Sequence, residues 1–114
     1  MKEPIPKKSK ILGNGGVNIA TLIDYKEGSI TRHEIQKQPN GSVILFAFAE
    51  GQSLSEHKAP FDVLLQIIEG EAEITVAGKP HIVKSGEMIL IPAHELHAVK
   101  AHKRHKMILT KIKP

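Results

Sequence analysis

The 114 residues predict an all-β fold, a sandwich or a barrel. Three observations point there. Gly41, Gly51, Gly70, Gly78 and Gly86 cut the middle of the chain into apolar stretches too short for ordinary helices, which is how turn-joined strands look in a sequence. Residues 71–77 alternate, with Ala72, Ile74 and Val76 to one side and Glu71, Glu73 and Thr75 to the other. No segment sustains a helical period, and several short strands in succession favour a closed or double-layered sheet.

Taken in order, residues 19–25 and 29–38 read as strands, the second with Ile30, Arg32, Glu34 and Gln36 on one face. Asn40-Gly41 is a hairpin signal, because a two-residue turn of that type needs positive φ at both positions. Residues 42–49 carry Val43, Ile44, Leu45, Phe46 and Phe48, a run expected of a strand covered on both faces. Residues 62–69 are similar, and Gly70 separates them from 71–77. Residues 80–84 and 87–91 are expected to pair around Ser85-Gly86. Residues 97–102 and 106–112 close the series, with 101–105 as a polar turn.

The expected organisation is a flexible arm over residues 1–16 and one domain over 17–114. Cysteine is absent, which excludes disulfides, a thiolate nucleophile and thiolate metal ligands, so any metal would need His and carboxylates. The start of the chain has no apolar signal-peptide core, and no apolar run reaches the roughly 20 residues of a membrane span. A cytoplasmic location with no membrane partner is the expectation. The net charge is +4, with lysines at 2, 7, 8 and 10 and a second basic group at 100–106. Nucleic acid is not the expected partner, because three Phe and one Tyr supply no stacking platform.

Two spaced motifs lie between Gly51 and Ala101. Gly51 precedes His57 by six positions, and Gly70 closes that segment. Gly86 leads to Pro92, and His97 follows five positions later. With the stretches 67–74 and 85–93, this spacing resembles the cupin family, and the resemblance covers nearly half the chain. It implies a double-stranded β-helix, jelly-roll-like barrel. It is most similar to small bacterial single-domain cupins with no assigned activity, and implies a homodimer.

The resemblance also implies a pocket whose typical metal ligands are three His and one Glu. Here only His57 and His97 stand at ligand positions; Ala59 replaces the second His and Val63 the Glu. His94 stands where the motif has Gly and is the candidate third ligand. The pocket is expected to be lined by Phe46, Phe48, Ala59, Phe61, Val63, Met88 and Met107. Catalytic residues, if any, are not identified. The remaining histidines, His33, His81, His102 and His105, read as solvated. Two functions follow. One is a divalent metal held by His57 and His97, acting on a small molecule in the barrel. The other is a metal-free binding or sensor domain, for which the small apolar Ala59 and Val63 make room. A structural domain whose site has decayed is a third reading.

Overall fold

In the computed structural model, residues 15–114 are described. The expected arm over 1–16 therefore lies almost wholly outside the described residues. A short 3-10 helix, Ile19–Leu22, is followed by eight strands: β1 (Ile30–Gln38), β2 (Gly41–Phe48), β3 (Ser53–His57), β4 (Asp62–Val76), β5 (Lys79–Lys84), β6 (Met88–Ile91), β7 (His97–Lys100) and β8 (His105–Ile112). All pairings are antiparallel.

β4 organises the barrel. Its first half joins a sheet in the order β1-β2-β8-β4-β6. Its second half joins another in the order β5-β4-β7-β3. Residues 62–69 and 71–77 are thus one bent strand, not the two expected. A register shift between Ile67 and Glu69 and the left-handed Gly70 (φ 76°) turn it from one sheet to the other. The expected pairing of 80–84 with 87–91 is also corrected. β5 and β6 pair with opposite halves of β4, and the turn between them is laced to its corner by Ser85 N–H to Gly70 O and Gly86 N–H to Ile67 O.

The alternation of β2 explains its apolar run. Ile44, Phe46 and Phe48 enter the main core with Val63, Leu65, Ile67, Ala72, Ile74, Ile91, Val99 and Met107. Leu45 and Ala47 face the other way, onto Leu22 and Ile23. Residues 19–25 are therefore not a strand: Asn18 caps the 3-10 turn by accepting from Ala20 N–H. The segment is fastened by Lys106 Nζ donating to Ala20 O at 2.6 Å, and by Tyr25 Oη donating to Glu69 at 2.6 Å. Burial, then the Glu69 carboxylate, push the Tyr25 phenol well above its ordinary range.

The β1–β2 hairpin turns one residue earlier than expected. Gln38 pairs with Gly41, so Pro39-Asn40 is the loop and Gly41 opens β2. Gly41 lacks positive φ; it is needed because a Cβ there would lie 2.7 Å from Lys111 O. β4 and β5 are joined by Ala77-Gly78, both at positive φ (51° and 81°), the geometry of a type I′ turn. The expected polar turn at 101–105 holds only in its middle: Ala101 and His105 are fully buried.

Candidate functional site

β7 brings His97 to the core-facing side of the four-stranded sheet, on the same side as Val99. His57, the last residue of the edge strand β3, lies directly opposite His97, so it shares that face. The rings are 4.3 Å apart between centroids and inclined at 59°. His97 is 5% exposed, whereas His57 is open to solvent. One imidazole is thus enclosed and its neighbour faces solvent. After His57 the chain crosses, through residues 58–61, to Asp62 at the start of β4 in the other sheet. Residues 57–63 are thus not one strand, and the register shift within the β3–β7 pair lies between Leu54 and His57.

Both imidazoles are anchored alike. His57 Nδ1 donates to Ser55 O at 2.8 Å, and His97 Nδ1 donates to Glu95 O at 3.0 Å. A carbonyl only accepts, so Nδ1 carries a proton in both rings, and in the neutral form Nε2 holds the lone pair. Burial, partly offset by the Glu95 carbonyl and reinforced by neighbouring His57, lowers the proton affinity of His97 below its ordinary value. His97 therefore presents a neutral acceptor nitrogen at neutral pH.

Among the described residues, no group of three or more His, Cys, Asp or Glu is placed to hold a metal ion. His94 sits in a left-handed turn (φ 70°) with its backbone N–H donated to Ala59 O. It lines a separate hollow with Pro60, Phe61, Asp62 and Ala93. Two imidazoles fall short of the three protein ligands that a catalytic zinc-type centre uses.

The expected pocket residues divide. Phe46, Val63 and Met107 are buried in the core, and Phe61 packs against it half-buried. Phe48 is fully buried and stacks on His105, ring centroids 4.6 Å apart. Ala59 is half-buried in the loop after β3. Met88 is 55% exposed on the side of β6 opposite the core-packed Ile89 and Ile91.

The other histidines also separate. His81 is exposed, and His102 is exposed and pairs with Glu73 at 2.7 Å. His33 is half-buried, with Nδ1 buried and unpartnered. The solvated reading of His105 is corrected: it is 0% exposed, and neither ring nitrogen has a hydrogen-bond partner. Its place was readable only by alternation. It precedes Met107 and Leu109 by two and four positions on the core face of β8, while Lys106 between them turns outward.

A double-stranded β-helix with an imidazole pair on its inner face is a cupin barrel. The chain belongs to the AraC-like ligand binding domain family, whose pattern matches residues 39–112. A conserved Streptococcus pyogenes protein of unknown function is 23% identical, with a TM-score of 0.86, over 99% of this chain and 96% of its own. A cupin superfamily protein from Desulfitobacterium hafniense is 25% identical, with a TM-score of 0.86, over 100% of this chain and 99% of its own. A cupin 2 conserved barrel domain protein from Leptotrichia buccalis is 39% identical over 82% of this chain, with a TM-score of 0.80; this chain spans 46% of that protein. No curated protein matches. No helix among the described residues is long and apolar enough to cross a membrane.

Proposed function

We propose that this domain binds a small hydroxyl-bearing molecule at the open end of the barrel, without a resident metal. One observation carries the reading. His57 and His97 stand side by side on the inner face with Nδ1 tied to backbone carbonyls, so each neutral ring offers Nε2 as acceptor. Two neighbouring acceptors suit ligand hydroxyl groups, which donate. The apolar residues proposed to line the pocket, among them Ala59, Phe61 and Val63, would cover the ligand's carbon skeleton. The match to a ligand-binding family supports the same reading.

The anchored Nδ1 atoms also favour a second reading. Nε2 lone pairs on adjacent imidazoles are the form that ligates metals, and a second-shell carbonyl on Nδ1 is usual for such ligands. Two ligands still bind a divalent ion weakly. Elemental analysis of untagged protein, beside the His57→Ala/His97→Ala variant, decides between them. Well below one equivalent of metal per chain in both is expected, together with thermal shifts from polyhydroxylated probes that the double variant loses. Near one equivalent in the parent and none in the variant would replace the binding reading with a metal centre.

The proposed partner in assembly is a second copy of this chain. Met88 and Leu90 are 55% and 59% exposed on the outward side of the five-stranded sheet, with Leu64 opposite Leu90. Burying that face across a two-fold axis would remove it from water. Light scattering on the parent is expected to give twice the chain mass, and on Leu90→Lys the single chain mass. A monomeric parent would refute the dimer.

A further inference from the structure

One row of residues crosses the five-stranded sheet at its open end: Lys37, Ser42, Lys111, Val63 and Ile91, each opposite the next. Val63 and Ile91 belong to the core, so the row's side chains leave the core-facing side. On β1, β2 and β8 that row becomes basic. Lys37, Ser42 and Lys111, with Gln38, Pro39 and Lys113, line a hollow of about 330 Å³. Lys113 is held there by its backbone N–H, which donates to Asn40 O at 2.8 Å.

Lys37, Lys111 and Lys113 therefore line one hollow whose lining holds no carboxylate, while Lys113 also borders the neighbouring hollow that Asp62 lines. Among the described residues the ion pairs involve Arg32, His102 and Lys106, none of them in the hollow. Lys111 has only the Phe61 ring, 5.2 Å from its Nζ. Like charges around one hollow raise its energy when it is empty and lower it once an anion enters. The hydroxyl points the same way. Ser42 is 6% exposed and lines the hollow, where its hydroxyl is a further donor. An entering oxyanion would accept from that hydroxyl.

We propose that this hollow is an anion site that takes the phosphate group of a small molecule. Lysine ammoniums are compact point charges suited to a multiply charged oxyanion, whereas planar carboxylates are better matched by the arginine fork. Three positive charges and one hydroxyl donor match a group carrying nearly two negative charges and several acceptor oxygens. His57 and His97 are not part of this site, so it stands or falls separately from the binding role given to them.

The test is a titration of the ¹⁵N-labelled protein with inorganic phosphate, at ionic strength held constant with sodium chloride. Saturable amide shifts centred on Lys37, Ser42, Lys111 and Lys113 are expected. Lys37→Gln/Lys113→Gln, which alters two exposed side chains, should weaken binding at least tenfold. Ser42→Ala should weaken it severalfold with the spectrum otherwise retained. Shifts that do not saturate, that centre on Lys103 and Arg104 instead, or that persist unchanged in the double variant would overturn the proposal.

Discussion

Replacing Gly70 with alanine is expected to cost about 2–5 kcal/mol, a large share of the folding stability of a domain this size. Two effects add. Gly70 has φ 76°, a left-handed conformation that costs an L residue about 1–2 kcal/mol. A Cβ at Gly70 would also lie 2.5 Å from Arg104 O and 3.2 Å from His105 Cα. Both are backbone or close to it, so nothing flexible can yield, and overpacking of this kind costs about 1–3 kcal/mol. Gly51→Ala is the control. Its φ is 87°, but nothing lies within 4 Å of the added Cβ, so only the conformational cost remains. Urea unfolding of both variants should place Gly70→Ala lower by about 1–3 kcal/mol. Equal losses would mean that β8 does not constrain the corner of β4.

Acid is expected to weaken the fold through His105 more than through any exposed histidine. Burial lowers its pKa from 6.5 to about 4. Its cross-strand partners, Phe48 and Gly70, cannot ionise, and flanking Arg104 and Lys106 reach over Tyr25 on the other face. The sign follows from proton binding. Below pH 6.5 the unfolded chain takes up a proton that the folded chain refuses until about pH 4. Stability therefore falls as pH drops through that window, by about 2–3 kcal/mol at pH 4.5 from this group. His97 shifts in the same direction, so the informative quantity is the difference between parent and His105→Phe. Phenylalanine keeps the stack on Phe48 and removes the proton site. Urea unfolding at pH 7 and pH 4.5 should show the variant losing about 2–3 kcal/mol less than the parent. Equal losses would mean that His105 protonates normally in the folded state.

Local patterns determined most of the strands. The apolar run in β2, the alternation in the second half of β4 and the glycines between segments depend on neighbours in the chain, and they placed strands close to where they lie. The spacing of Gly51, His57, Gly86 and His97 likewise singled out the two imidazoles that the barrel sets 4.3 Å apart. Tertiary structure decided what pairs with what. Gly70 reads as a turn in sequence, but positive φ serves a corner as well as a reversal, and only the demands of two sheets on β4 choose between them. The same holds for residues 19–25, whose apolar side chains fit a strand until the outer face of β2 offers Leu45 and Ala47 to cover. His105 looks solvated beside Lys103, Arg104 and Lys106, yet alternation on β8 sends it into the core. Lys37, Ser42, Lys111 and Lys113 come from distant parts of the chain, and antiparallel register, a nonlocal property, gathers them around one hollow.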